Sequence, residues 1–271
     1  MNNLKIHCLC IHDELLEKVK ELKYIPVGLG EKNYRSGWLR DNIGINISHK
    51  NRYYGEYTFH YWLWKNNMEI FNETDWVGFC AYRRFWLNEN CETSSKIPFK
   101  EKVLNQVPKI WNDYDVILAK KITVKNIKNI KILKYGKLAI LKNPKSILKH
   151  NRNIKFHFDM FHGTGVIDAA INLLNDSDKK DFGKYILENS SFNQANLFIC
   201  KSKELVNKYY ETIFEWLEKC EKIFGFNLTG YGKVRLYAFL AERFLPYWFN
   251  KNANCIEWPI IFNDLNKQSL L

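Results

Sequence analysis

Two adjacent arginines, Arg83 and Arg84, follow Tyr82 directly after the apolar run Trp76-Val77-Gly78-Phe79-Cys80-Ala81. A buried strand that ends in paired guanidinium groups carries fixed positive charge to the rim of a sheet, where open α/β folds bind ligands. Arginine holds a phosphate there bidentately. The competing reading is a solvated strand end with a surface ion pair. A second cluster runs from Arg40-Asp41-Asn42 through Asn46-Ile47-Ser48 to Asn51, Tyr54 and Glu56. Its short amide, hydroxyl and carboxyl groups could direct several hydrogen bonds to a polyhydroxylated ligand. The same residues could equally form self-capped turns leading into a helix. A third cluster, Phe156-His157-Phe158-Asp159-Met160-Phe161-His162, sets His, Asp and His among aromatics, a spacing compatible with metal ligation, acid/base work or plain packing. Glu242 interrupts the apolar stretch Phe239–Leu245, and Glu188 and Asp115 are further carboxylates of interest. Gly-x-Ser-x-Gly and His-Glu-x-x-His motifs are absent, and Asp-x-Asp occurs as Asp113-Tyr114-Asp115 and Asp176-Ser177-Asp178 but not at the end of the 76–81 run.

The elements that must position these groups follow from periodicity. Strands are expected over 4–11, 75–80, 114–119 and 195–200, with an edge strand at 256–261. Helices are expected over 13–22, 56–66 and 99–111, with two more between 204 and 248 broken by the Gly-rich 225–232 stretch. Residues 24–51 read as a long loop, of the kind that usually carries function. Residues 120–150 are lysine-rich and weakly patterned. Strands alternating with helices predict an α/β sheet with a helical C-terminal part.

The chain has 271 residues, enough to bury a large core, and its 46% hydrophobic and 15% aromatic content excludes a disordered protein. The net charge of +12 invites a nucleic-acid partner, but the lysines are scattered among Asn and Ile and no nucleic-acid module appears. An anionic membrane or an anionic substrate suits that charge at least as well. Seven cysteines without a Cys-x-x-Cys pair predict free thiols in a reducing cytoplasm. The N-terminus is too polar for a signal peptide, and no apolar run approaches the about 20 residues needed to cross a bilayer. A soluble or peripheral cytoplasmic protein is expected.

In order, these clusters resemble a bacterial family, domain of unknown function 4422, grouped with GT-A-type glycosyltransferases of capsule and surface-polysaccharide synthesis. The resemblance rests on Tyr24-Ile25-Pro26-Val27-Gly28, Arg40-Asp41-Asn42, Asn46-Ile47-Ser48, Asn51, Tyr54, Glu56, Tyr61-Trp62, Trp64-Lys65-Asn66, Tyr82-Arg83-Arg84-Phe85, Tyr114–Ile117 and Phe239–Arg243. It is specific over 24–86 and poor over 120–190. Ala81 stands where the family usually has His, and the segment from Ser190 to Phe198 departs from the family pattern.

The resemblance implies one GT-A-like (Rossmann-like) domain over 1–271, with a mixed sheet flanked by helices. Residues 1–119 would be the nucleotide-sugar half and 120–271 the acceptor-side half. It implies transfer of a hexose, with galactofuranose as the specific expectation, from a UDP-linked donor to a saccharide or lipid-linked glycan. Arg40, Asp41, Asn42, Asn46, Ser48, Asn51, Tyr54, Trp64, Lys65, Tyr82, Arg83 and Arg84 would bind the donor. His157, His162, Asn193 and Gln194 would bind the acceptor. Glu242, Asp159 and Glu188, in that order, would serve as base. Where such enzymes often carry Asp-x-Asp, this chain has Tyr-Arg-Arg, so Arg83 and Arg84 would neutralise the diphosphate. No cofactor is expected, and Mg or Mn is not favoured. Peripheral contact with anionic membrane at the inner face is expected, nucleic acid is not. A sugar-phosphate or phosphoryl transferase and a non-catalytic glycan- or nucleic-acid-binding module are the alternatives.

Overall fold

The computed structural model describes residues 3–72 and 74–267. Its strands are β1 (Asn3–Cys10), β2 (Ile25–Gly28), β3 (Leu39–Arg40), β4 (Asp75–Ala81), β5 (Arg84–Trp86), β6 (Val116–Ala119), β7 (Lys121–Thr123), β8 (Ser191–Asn193), β9 (Phe198–Cys200), β10 (Cys255–Trp258) and β11 (Ile260–Phe262). Nine of them form one mixed sheet in the order β10-β6-β9-β4-β1-β2-β3, with β5 pairing β4 and β11 pairing β5. β1, β2, β3 and β4 run parallel to one another, whereas β9 is antiparallel to both β4 and β6. This is the expected mixed α/β sheet flanked by helices. Among the described residues, no helix is long and apolar enough to cross a membrane.

The chain divides into two compact units, one of residues 1–120, 195–210 and 249–271, the other of 121–194 and 211–248. The first holds the whole nine-stranded sheet. Its core is unusually aromatic: Trp111 packs edge-on against both Trp76 and Trp258, at 5.4 and 5.3 Å. Trp86 and Trp258 donate to the carbonyls of Phe79 and Leu87, whereas the Trp76 and Trp111 indoles have no acceptor among the described residues. At the centre of β4 the strand is so tightly flanked that a Cβ on Gly78 would lie 2.6 Å from both Ile6 and Ile199. The second unit contains the β7–β8 pair and the helices Asn129–Tyr135, Lys137–Lys142, Ile154–His162, Val166–Ile171 and Asp176–Glu188.

Two expectations change. Residues 24–51 contain β2 and β3, which are too short and too interrupted by Pro26 and Gly28 to show a period. They are strands because β1 supplies the pairing edge. The helix expected over 99–111 stops at Lys102. Leu104 instead donates to Trp86 O, Val103 bridges to Leu87, and a 3-10 turn begins only after Pro108, which lacks an amide proton and restrains the residue before it.

Candidate active site

Because β1 to β4 are parallel, their carboxyl ends share one edge, formed by Cys10-Ile11-His12, Gly28-Leu29-Gly30, Arg40-Asp41 and Ala81-Tyr82-Arg83. Backbone and buried side chains make this edge rigid. The Tyr34 hydroxyl donates to the carbonyls of Cys10 (3.2 Å) and Leu29 (3.0 Å), joining the ends of β1 and β2. Its ring lies so close to Gly28 that a Cβ there would sit 2.8 Å away. Tyr82 and Arg83 form the two-residue connection between β4 and β5, with Ala81 opposite Arg84. Tyr82 N donates to Leu9 O, and the carbonyls of Tyr82 and Arg83 accept from the amides of Leu265 and Asn263. The hairpin backbone is thus held from both sides.

The side chains it presents are cationic. The Arg83 guanidinium lies 4.8 Å from the centre of the Tyr82 ring, and the His12 imidazole meets that ring edge-on at 5.1 Å. Arg40, Arg83 and Arg84 are all half-buried, and among the described residues none has a carboxylate partner within 4 Å. The Asn42 carbonyl oxygen nearby is buried and has no partner among the described residues.

The loop after β3 is arranged differently from the row of ligand contacts that the sequence led us to expect. Asp41 is fully buried, and its carboxylate accepts from Gly30 N at 2.8 Å and Thr58 Oγ1 at 2.5 Å. Burial pushes its pKa up, while those two donors hold it down. Asn46 Oδ1 accepts from both the amide and the hydroxyl of Ser48, a self-capped turn. Asn51 donates to Gly55 O and Thr58 Oγ1. Tyr54 is buried. On the helix Tyr57–Asn66, the Trp64 indole donates to Asn207 at 3.0 Å, and the Lys65 ammonium covers its ring at 3.2 Å. Trp64 and Lys65 stand two turns, about 12 Å, beyond Glu56 along that helix. The structure therefore places Arg40 and the Tyr82, Arg83 and Arg84 hairpin on one sheet edge, with β1 and β2 between them, while Asp41, Asn51 and Ser48 are hydrogen-bonded support.

Sequence reasoning gave Asn196 no role and placed Glu56 in the polar cluster after Arg40 without assigning it one. Asn196 Nδ2 donates to Glu56 Oε1 at 2.6 Å. Ala195 and Asn196 both have positive φ, 70° and 53°. Asn tolerates that conformation, but Ala does not adopt it without strain, and such strain gathers at functional sites. The one available signal was a lone Asn at the head of the apolar run that becomes β9.

In the second unit, two of the residues expected on the acceptor side and as base, His157 and Glu242, meet at Arg243. This arginine is fully buried, pairs with Glu242, lies 4.0 Å from the Phe192 ring centre and places Nη2 3.3 Å from His157 Nδ1. Its Nε has no partner among the described residues. Burial, then Arg243, then His162 push the His157 pKa well below the usual imidazole range. His162, stacked on Phe239 at 4.0 Å, shares its Nδ1 with Gly232 O at 2.8 Å, and burial and Arg243 lower its pKa to about 3. Both are neutral imidazoles at physiological pH. Asp159 accepts from Lys155 Nζ at 2.8 Å and Gly165 N at 2.9 Å, tying the helix Ile154–His162 to the turn after it. Two positions apart on a helix, His157 and Asp159 face different ways. No group of three His, Cys, Asp or Glu among the described residues is placed to hold a metal. Asn193, at the end of β8, is buried and Gln194 half-buried, while Glu188 is exposed at the end of its helix.

Among curated proteins, none matches this chain. Among solved structures, the chain is similar to a WbbM bifunctional glycosyltransferase in its apo form, with a TM-score of 0.64 and 21% identity. That match covers 96% of this chain but 45% of the other, so this chain spans about half the length of that protein. The likeness is one of fold. The sequence model of the domain of unknown function 4422 (DUF4422) matches residues 7–253, and the chain belongs to that family.

Proposed function

We propose that this protein is a glycosyltransferase whose donor is a nucleoside-diphosphate sugar. The observation that carries the reading is the pair Arg83 and Arg84 just past the carboxyl end of β4, with Arg40 on the same sheet edge beyond β1 and β2, all without carboxylate partners among the described residues. Breaking the glycosidic bond leaves negative charge on the diphosphate, and donors already fixed at that position stabilise it without reorganising. The glycosyltransferase-like fold supports the same reading. The set of side chains after β4 does not suit a divalent cation, since cationic groups there repel it, and no step is assigned to a metal. Turnover should survive chelation of the purified enzyme by EDTA.

As base for the acceptor hydroxyl we favour Glu242, whose carboxylate is partly exposed beside the Arg243 guanidinium, over the buried Asp159, bonded to Lys155 and Gly165, and over Glu188 at an exposed helix end. His157, His162, Asn193 and Gln194 would serve the acceptor. A hexose such as galactofuranose, UDP as the nucleotide and a lipid-linked or growing surface polysaccharide at the inner membrane face complete the proposal. A thermal-shift screen against UDP-, GDP-, CMP- and dTDP-sugars tests it. At about a hundred times its Kd, a donor adds roughly 2.7 kcal/mol of stability. A flat response to every nucleotide would count against the reading.

A further inference from the structure

We infer that residues 128–149 form a docking surface for an anionic lipid bilayer. Between 121 and 150 the chain carries nine lysines and neither Asp nor Glu, and all nine lysines are exposed. Genomic base composition would enrich lysine and isoleucine alike, but it does not decide which aliphatic side chains stand exposed. Ile130 is 78%, Leu138 67% and Leu141 76% exposed, and Tyr135, Ile147 and Leu148 are each more than half exposed. Single exposed apolar residues are ordinary, but a cluster of them marks an interaction surface.

The segment is built to hold this face outward. Leu138 and Leu141 lie one turn apart on the same side of the helix Lys137–Lys142, while Ala139 points into the unit and is buried. The helices Asn129–Tyr135 and Lys137–Lys142 and the following 3-10 turns pack on one another. A single buried guanidinium fixes the whole arrangement. Arg152 donates to the carbonyls of Ser146, Lys125, Ile127 and Ile147 and to Asn129 Oδ1, all within 3.2 Å. Between these elements opens a crevice of about 160 Å³ lined by Ile132, Ile140, Ile147 and Asn129. Exposed aliphatic chains amid lysines, with an apolar opening beneath, match a surface whose outside is anionic and whose inside is hydrocarbon. A nucleic acid would match the charge but leave the aliphatic chains in water.

The inference deepens the lipid-linked acceptor of the reading above, yet needs no sugar nucleotide for its test. The full chain is sedimented with vesicles of phosphatidylcholine alone and of phosphatidylcholine mixed with phosphatidylglycerol. Binding should require phosphatidylglycerol and weaken in high salt. Each lysine near the surface is worth about fivefold in affinity, so Lys131→Glu with Lys134→Glu should lower it by at least about tenfold. Leu138→Glu with Leu141→Glu should do so too, although each replaced side chain already faces water and the melting temperature should hold. Failure of the wild-type chain to bind phosphatidylglycerol vesicles, or leucine variants that bind as well as wild type, would overturn the inference. So would tight binding of a short RNA that the leucine variants retain. The nucleotide thermal shift of the same variants is read separately, so loss of vesicle binding with an intact shift leaves the donor reading standing.

Discussion

Arg83 and Asp41 show how two charged residues a few ångströms from the same sheet edge take different work. Arg83 is half-buried at a hairpin tip, with its guanidinium resting on an aromatic face, so it can turn to an incoming anion. Asp41 is fully buried and bonded to Gly30 and Thr58, so its carboxylate is part of the frame. Arg83→Ala or Arg84→Ala should lower kcat by about a hundredfold or more, the effect of losing one fixed donor to a developing charge. Steady-state turnover with the donor found in the thermal screen is the measurement, and two fully active variants would end the phosphate-clamp proposal. Asp41→Ala should instead act on the fold. It leaves the buried Gly30 amide without its acceptor and the Thr58 hydroxyl with only Gly55 O, at about 1–3 kcal/mol, and urea unfolding should show that loss. Both arginines were legible in the sequence because an abrupt change from apolar to cationic marks a strand end. The burial of Asp41 was not legible, because a buried bonded carboxylate and an exposed ligand contact look alike as letters.

At the scale of elements, β4 decides most. It sits between parallel β1 and antiparallel β9, and its close packing is possible because position 78 has no side chain. Gly78→Ala should therefore destabilise the fold by about 1–3 kcal/mol through overpacking, with little change in m-value; a variant as stable as wild type would refute the crowding argument. The strand itself was legible from its unbroken apolar run. The short strands β2 and β3 were not, since four and two residues carry no period and exist as strands only through their pairing with β1. The helix expected at 99–111 failed for a related reason. Its apolar spacing was present, but pairing of 103–104 with the end of β5 captured those residues first.

For the molecule as a whole, buried histidines set the response to acid. Burial lowers the pKa of His7 to about 4 and of His60 and His162 to about 3. Each is thus neutral in the fold and has a lower pKa there than in the unfolded chain. The unfolded state binds more protons below about pH 6.5, so stability is full above that pH and falls as pH drops toward 3. Each such histidine contributes up to about 1.4 kcal/mol of loss per pH unit in that window. Melting temperatures should therefore fall clearly between pH 7 and pH 5. His60→Phe should flatten the slope, and an unchanged slope would show that His60 is not held neutral.

What the sequence determined by itself was the class of architecture, the family and the cationic end of β4, because long apolar runs, periodic helices and a specific ordered set of motifs are properties of neighbouring letters. The tertiary structure alone decided which polar residues are structural and which are available. That distinction depends on burial and on partners distant in the chain: Thr58 for Asp41, Glu56 for Asn196, Asn207 for Trp64 and the carbonyls of 125–147 for Arg152. It also turned a lysine-rich stretch without clear pattern into an ordered basic surface, because the guanidinium that organises it lies outside the stretch it holds.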